Sequence, residues 1–378
     1  MITDEQRALQ ETTREFVRRH VAGHLDQWER DEMVPRSLHG EAAAAGLLGL
    51  GFPEEVGGSG GSGLDVVLMQ EAFFEAGASS GLGAALFTSG IALPHIVANG
   101  SAEQIDNYVK PTLSGEKIGA LGITEPGGGS DVAGITTTAV RDGDHYVVNG
   151  AKMFITSGIR ADFVTTAVRT GEPGHKGLSL LIIDKDTPGF NVDRSLEKMG
   201  WRCSDTAALS FTDCRVPVTN LVGQEGNGFV MIAEQFVIER IALAVHGYGI
   251  ATRALATTTA YARERKTFGE PLITRPVVQQ KLVEMHRQIE VARTYTREVM
   301  RRHDAGEMVI AEACLAKQTA VNACSYVVDQ AVQLHGGTGY MLGTEVERDY
   351  RDARLLPIGG GADEVLADLA ARLLGYAA

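Results

Sequence analysis

Residues 122–134 read Gly-Ile-Thr-Glu-Pro-Gly-Gly-Gly-Ser-Asp-Val-Ala-Gly. Thr124 and Ser130 bracket a Pro-Gly-Gly-Gly turn. A turn nearly free of side chains lets backbone N–H groups and two hydroxyls approach a ligand closely. The block lacks the Lys-Ser/Thr ending of a nucleotide P-loop, so ATP is a poor match for it. In isolation a Gly/Ser/Asp-rich run is an ordinary surface turn. The pattern on either side of it, and the motifs downstream, give it weight.

The stretch sits where the hydrophobic period changes. Downstream of about residue 119, Asp142-Gly143 and Asn149-Gly150 both read as hairpin turn pairs, with His145-Tyr-Val-Val148 between them. Phe163–Val168, Leu178–Ile183 and Ala207–Phe211 are further β-rich runs. Upstream, the pattern is helical. Thr3-Asp4-Glu5-Gln6 has the form of a capping box opening a helix to about Trp28. Glu41 to Leu48 reads as a second helix, residues 57–63 as a Gly/Ser loop, and 64–78 as helix again, with helical segments continuing through Gln104–Leu113. Gly58, Gly60 and Gly63 fit G-x-G-x-x-G, but no strand precedes them, so they read as loop. From Phe229 the chain is helical once more. One long helix is expected to about Arg265, a second from Pro276 to Asp304, and a third, Ala-rich, from about Val309 to Leu334; a last one follows Asp363. Ala313, Ala316, Ala320 and Ala323 would let the third helix pack closely, in the core or against another subunit. The fold class expected is α+β: an N-terminal helical domain (1–118), a middle antiparallel β domain (119–225) and a C-terminal four-helix-bundle domain (226–378).

A length of 378 residues is too great for one small core. The 35 basic and 48 acidic residues give a net charge of −13, which argues against nucleic acid as a partner. An anionic small molecule stays compatible, since it needs only a local basic pocket. Cys203, Cys214, Cys314 and Cys324 form no C-x-x-C pair, so no metal site is indicated and free thiols in a reducing compartment are expected. A charged N-terminus and the lack of an 18-residue apolar run make a cytoplasmic protein without membrane insertion the expectation.

Taken in order, the motifs resemble those of the acyl-CoA dehydrogenases, over nearly the whole chain. Residues 124–131 resemble the family's T-E-P-x-x-G-S-D, a loop beside FAD. Lys152-Met-Phe-Ile-Thr-Ser-Gly158 resembles K-x-[WF]-I-T-[NS]-G, which implies Thr156 at the isoalloxazine edge and Phe154 against the ring. Without the family, Phe154 reads as a core aromatic and Thr156 as a strand residue. Lys198–Thr206 resembles M-G-x-x-x-S-D-T, a loop beside the substrate. Arg263-Glu-Arg-Lys-Thr-Phe-Gly269 is similar to R-x-x-F-G, implying that Arg265 and Phe268 serve FAD, with Arg265 on a pyrophosphate held mainly by a neighbouring subunit. A planar guanidinium suits a diphosphate; otherwise Arg265 is a solvated basic helix end. Gln333-Leu-His-Gly-Gly-Thr-Gly-Tyr340 resembles Q-x-x-G-G-x-G-[FY], placing Gln333, Gly336 and Gly337 at FAD across a dimer. Ser130 and Arg240 are implied on the substrate side, and Leu86–Pro94 along the acyl tail.

Dehydrogenation at Cα–Cβ needs a carboxylate kept dry, because burial raises its pKa and strengthens it as a base. Many family members carry this Glu in a Y-E-G-T segment, and here that position is Gly360. Isovaleryl- and long-chain-type members carry it on a long C-terminal helix directly before an Arg, which Glu239-Arg240 matches. Glu239 lies three residues after Phe236 and four before Leu243, stacked among apolar neighbours, so it is either the base or one half of an internal ion pair. The backbone N–H of Gly360 is implied as a donor to the thioester carbonyl. Leu121, Pro276 and Ala362 stand where the family often has Tyr, Gln and Thr. The resemblance implies an FAD-dependent acyl-CoA dehydrogenase of fatty acid metabolism, a homotetramer passing electrons to an electron-transferring flavoprotein. The alternatives are an oxidase or flavin monooxygenase of the same fold using O2, and a non-catalytic acyl-CoA-binding protein.

Overall fold

The Thr3 hydroxyl accepts the Gln6 N–H at 3.2 Å while the Gln6 side chain accepts the Thr3 N–H at 3.0 Å. This capping box starts α1 (Asp4–His20) in the computed structural model, which describes residues 2–377. Gly23, at φ +81°, breaks the expected run to Trp28, and α2 (Leu25–Asp31) resumes it. The next helix, α3 (Ser37–Ala44), lies earlier than its pattern suggested, because Gly46 at φ +75° ends it and turns Leu47 and Leu48 into the core. A second capping box, Ser62 with Asp65, starts α4 (Gly63–Glu75). Short helices follow: α5 (Ser80–Leu86), α6 (Ser89–Ala92), α7 (Pro94–Asn99), α8 (Ala102–Gln104) and α9 (Lys110–Leu113).

Eight strands come next: β1 (Gly119–Gly122), β2 (Thr138–Asp142), β3 (His145–Thr156), β4 (Phe163–Arg169), β5 (Leu178–Asp184), β6 (Phe190–Ser195), β7 (Thr206–Pro217) and β8 (Leu221–Val222). They form one sheet in the order β6-β7-β3-β2-β4-β5-β8, with β1 paired to β4. The sheet is antiparallel as expected along most of this path, but mixed as a whole, because β1 runs parallel to β4. Parallel neighbours need a long crossover, and residues 123–162, which include the β2–β3 hairpin, supply it. Asp142-Gly143 does make the β2–β3 turn, with Gly143 at φ +62°. Asn149-Gly150 does not make a turn. It lies inside β3, where the pairing with β7 slips by a bulge. Gly150 has φ +151°, and a Cβ there would lie 2.5 Å from the Thr137 hydroxyl, so glycine answers a close approach rather than a chain reversal.

The C-terminal part stacks α10 (Gly228–Glu264), α11 (Pro276–Asp304) and α12 (Ile310–His335), followed by α13 (Gly337–Tyr340), α14 (Glu345–Ala353) and α15 (Asp363–Leu373). Pro276 is the first residue of α11, where a missing N–H costs no helical bond. Ala313, Ala316, Ala320 and Ala323 are buried within the protomer, and a Cβ on Gly247 of α10 would come within 3.1 Å of the Ala320 carbonyl. The small-residue stripe therefore serves close α10–α12 packing in the core. Helix α14 escaped the sequence reading because its residues, Glu-Val-Glu-Arg-Asp-Tyr-Arg-Asp-Ala, are mostly charged, yet Glu347, Arg348, Asp349 and Asp352 are buried. All four cysteines are buried and free. Among the described residues no single helix is long and apolar enough to cross a membrane.

Candidate functional site

Two motifs singled out separately in the sequence are joined by one buried ion pair. Glu125 and Gly128 exchange backbone hydrogen bonds of 3.1 Å, closing the turn through Pro126 and Gly127. The Glu125 carboxylate, only 7% exposed, accepts from Lys152 Nζ at 2.8 Å, the Thr136 N–H at 2.8 Å, the Thr136 hydroxyl at 2.7 Å and the Thr137 N–H at 2.9 Å. Lys152 is fully buried and also donates to the Ile123 carbonyl at 3.1 Å. Burial raises the Glu125 pKa, but the Lys152 charge and these donors outweigh it and hold the group down at about 2. Burial lowers Lys152 to about 8 despite the attraction of Glu125. Beside this anchor, the Thr124 carbonyl accepts the Met153 N–H at 2.8 Å, locking the turn against β3.

That anchoring leaves a row of uncommitted groups on the surface. The Thr124, Ser130 and Thr156 hydroxyls make no hydrogen bond among the described residues, and a Cβ at Gly127 or Gly128 would meet open space. The pairing of β3 with β7 slips again between Lys152 and Ile155. There Phe154 takes φ +62° and is 66% exposed. The reading of Phe154 as a core aromatic fails, because the bulge turns its ring outward.

From Thr156 a chain of contacts leads to Glu239. The neighbouring Ser157 hydroxyl lies 2.7 Å from that of Thr88, just before α6. Within α6 the Gly90 carbonyl accepts Gln235 Nε2 at 3.1 Å, and Gln235 is one turn before Glu239 on α10. A Cβ on Gly90 would meet nothing within 4 Å, so there is room above this surface. Glu239 makes no ion pair or hydrogen bond among the described residues, which removes the internal-ion-pair reading. It is half-buried. Burial pushes its pKa up, opposed by Arg240 and Lys317. Arg240 is itself buried and stacks 5.7 Å over the Phe236 ring.

Gly360 arrives at the same place from the other end of the domain. It has φ +63°, and a Cβ there would lie 3.5 Å from Glu239 Oε1 and 2.2 Å from Leu243 Cδ1. The two candidate positions for a base, 121 residues apart in the chain, thus converge. One residue the sequence reading passed over holds this loop. Lys317, fully buried in the Ala-rich α12, donates to the Gly359 carbonyl at 2.6 Å and the Gly361 carbonyl at 2.5 Å. A lone lysine in an alanine-rich helical stripe was the available signal.

The Lys198–Thr206 loop packs close by through buried carboxylates. Asp352 of α14 accepts the Trp201 N–H at 2.6 Å and the Gly81 N–H at 3.3 Å, and burial pushes its carboxyl above the usual range. Asp205 pairs with Arg160 at 2.6 Å, just after β3.

The remaining motif residues gather elsewhere. Arg265 caps the far end of α10, exposed and without an acidic partner among the described residues. The hairpin of β9 (Lys266–Thr267) and β10 (Glu270–Pro271) turns at Phe268 and Gly269, both at positive φ, and leaves Phe268 99% exposed. Tyr261 stacks on His335 at 4.2 Å, which fixes the exposed Gln333 and the open Gly336-Gly337 turn at this same end. Arg265, the residue that caps α10, follows Glu239 by 26 positions, about 39 Å at 1.5 Å per residue. Within one protomer the two groups of motif residues do not meet.

These groups suit a flavin dinucleotide. An exposed aromatic and a free hydroxyl on β3 match a planar ring with polar edges. Backbone N–H groups of a bare glycine turn and an unpaired guanidinium match a pyrophosphate.

Comparison with known proteins agrees. Family models for the acyl-CoA dehydrogenase N-terminal, middle and C-terminal domains match residues 3–116, 120–214 and 226–375. The probable acyl-CoA dehydrogenase YngJ of Bacillus subtilis is 36% identical over 375 residues, covering 99% of this chain and 98% of its own. The crystal structure of a putative acyl-CoA dehydrogenase from Mycobacterium smegmatis superposes with a TM-score of 0.99 at 57% identity, covering 100% of this chain and 99% of its own. A glutaryl-CoA dehydrogenase from the same organism, in complex with FADH2, superposes with a TM-score of 0.92 at 25% identity, covering 100% and 96%. With all three domains matched in order, the chain belongs to the acyl-CoA dehydrogenase family, FAD-dependent oxidoreductases.

Proposed function

We propose that this enzyme oxidises an acyl-CoA thioester to the trans-2-enoyl-CoA, with Glu239 as the base that takes the α-proton. The observation that carries the reading is the convergence of a half-buried Glu239, without an ion-pair partner among the described residues, on the Gly360 backbone. FAD, when bound, supplies the acceptor for the β-hydride and a ribityl hydroxyl. The Gly360 N–H is the chain's own donor to the thioester carbonyl, stabilising the negative charge that grows there as the α-proton leaves. Burial makes Glu239 a stronger base than a solvated carboxylate. Thr124, Ser130, Phe154 and Thr156 would hold the flavin from the β domain, with Ser130 and Arg240 on the substrate side.

Arg265, Phe268, Gln333, Gly336 and Gly337 lie too far along the bundle to reach that flavin in the same protomer. We infer that they serve the flavin of a second copy, in line with the homotetramer the family resemblance implies. The same resemblance implies an electron-transferring flavoprotein as acceptor and a role in fatty acid metabolism.

The deciding experiment is anaerobic flavin reduction by a panel of straight and branched acyl-CoAs. Glu239→Gln should keep flavin and acyl-CoA binding and slow reduction by roughly 10²–10⁴-fold. Near-wild-type reduction by that variant removes Glu239 from the mechanism. Rapid reoxidation by O2 with hydrogen peroxide release, and none by a protein acceptor, would favour an oxidase instead.

A further inference from the structure

We propose that Lys317 is a positioning residue for α-proton abstraction: it clamps the 359–361 loop so that the Gly360 N–H is aimed at the thioester carbonyl, and it holds a positive charge beside the base. The inference rests on the reading of Glu239 as that base.

The geometry is specific. A buried ammonium with three N–H donors spends two of them on carbonyls that flank one residue, Gly359 at 2.6 Å and Gly361 at 2.5 Å. The Gly359 carbonyl shares its peptide plane with the Gly360 N–H, so rotation to free that carbonyl would swing the N–H, while the bond to Gly361 fixes the far side of the same residue. That residue has φ +63° inside a run of three glycines, a segment with little intrinsic preference for one conformation. Nothing else polar among the described residues donates to these two carbonyls from a side chain. Lysine is an expensive way to hold a loop. Burial, reinforced by Arg240, lowers its pKa to about 8 against the pull of Asp363 and Glu239. Structural adhesion alone could be met by a neutral donor such as Gln. A cation adds a field at the site where an α-carbanion and its enolate oxygen develop charge.

The charge also bears on the base. The charged groups acting on Glu239 are Arg240, its helix neighbour, and Lys317, from α12. Those acting on Lys317 are Asp363, Glu239 and Arg240, with the buried Cys314 thiol one turn earlier on its own helix. Removing Lys317 leaves Glu239 with burial opposed by Arg240 alone, so its pKa rises further. The base then ionises only at higher pH.

The test uses the flavin-loaded protein and a 3-thia-acyl-CoA. Its α-hydrogens are acidic, but sulfur at the β position leaves no β-hydride to transfer. Solvent deuterium exchange at its α-carbon therefore reports proton abstraction by itself. The variants are Lys317→Met, Lys317→Gln and, as control, Glu239→Gln. Amide hydrogen exchange of the peptide covering residues 355–363 is followed in parallel.

Lys317→Met should lose α-exchange at saturating thioester by at least about tenfold, and deprotect the 355–363 peptide. The midpoint of its exchange-versus-pH profile should move to higher pH. Lys317→Gln keeps N–H donors without the charge, so it should restore much of the loop protection while keeping the raised midpoint. A purely structural lysine would change loop protection or yield without moving that midpoint. If Glu239→Gln abolishes exchange but both Lys317 variants keep the wild-type rate and midpoint, the proposal is overturned and the base stands. If Glu239→Gln exchanges normally, the base reading itself fails.

Discussion

Replacing Lys152 by Met tests whether the ion pair beneath the glycine turn organises the flavin face. The substitution keeps the apolar stem but strips Glu125 of the only cation paired with it, and of one of its four donors, among the described residues. The Thr136 N–H, the Thr136 hydroxyl and the Thr137 N–H remain, at 2.7–2.9 Å. Breaking a buried pair by removing one partner costs about 3–5 kcal/mol, because a charge is left uncompensated. With three donors retained, the lower end, about 3 kcal/mol, is expected here. The intact pair is a poor stabiliser by itself, since Lys152 is held at about 8 by the same burial. A Glu125→Gln, Lys152→Met double variant should therefore be less impaired than the sum of its parts, with a coupling energy of about 2 kcal/mol. The pH dependence has a definite sign. Glu125 sits at about 2 in the fold against an ordinary 4.5. Its contribution is complete above about 4.5 and is lost as pH falls towards 2. In Lys152→Met the folded carboxyl is no longer held so far below 4.5, so the acid-dependent loss should be smaller and should end at higher pH, because the partner that lowered the carboxyl is gone. Flavin fluorescence on release, followed through urea titrations at several pH values, reads the turn directly. A Lys152→Met protein that releases flavin at the wild-type urea midpoint, with an unchanged acid limb, would refute this account.

Arg265→Ala should weaken flavin retention by roughly 10–150-fold, the equivalent of about 1.5–3 kcal/mol for an ionic hydrogen bond to a diphosphate; full occupancy after extensive dialysis would show that this guanidinium does not reach the cofactor. Gly360→Ala should slow flavin reduction, since the left-handed backbone costs a Cβ about 1–2 kcal/mol and that atom falls 2.2 Å from Leu243 Cδ1. For the same reason, moving the base by Glu239→Gly with Gly360→Glu should recover activity well only when Leu243→Ala is added; equal recovery with Leu243 intact would contradict the observed packing. Finally, stopped-flow reduction as a function of pH should titrate with an apparent pKa above the ordinary carboxylate value of 4.5, because burial raises Glu239; a midpoint at or below 4.5 would place the base elsewhere.

The order helices, strands, helices was legible because apolar periodicity is a local property. So were the Thr3 capping box and the bounds of α11, whose Pro276 and terminal basic residues act within one turn of the helix ends. The motif residues could also be singled out as candidates, since glycine turns, hydroxyls and an isolated Arg carry their chemistry in their own residue types. What failed or was missed depended on partners distant in the chain. Asn149-Gly150 has the composition of a tight turn, and only β7 and Thr137 packed against it make it a bulge. Phe154 points outward because two strands slip register beneath it. The parallel pairing of β1 with β4, and the burial of the charged α14, likewise follow from neighbours contributed by other parts of the chain.

The sequence by itself determined a flavin-binding acyl-CoA dehydrogenase and two candidate places for its base, Glu239 and Gly360. Tertiary structure decided that these are one place, that Glu239 stands there without an ion-pair partner among the described residues, and that Lys317 of α12 grips the loop that carries Gly360. It also placed Arg265 about 39 Å from Glu239 along α10. The physical reason is that a residue's type states which charge or hydrogen bond it can offer, whereas its pKa and its reach are set by atoms that only folding brings near.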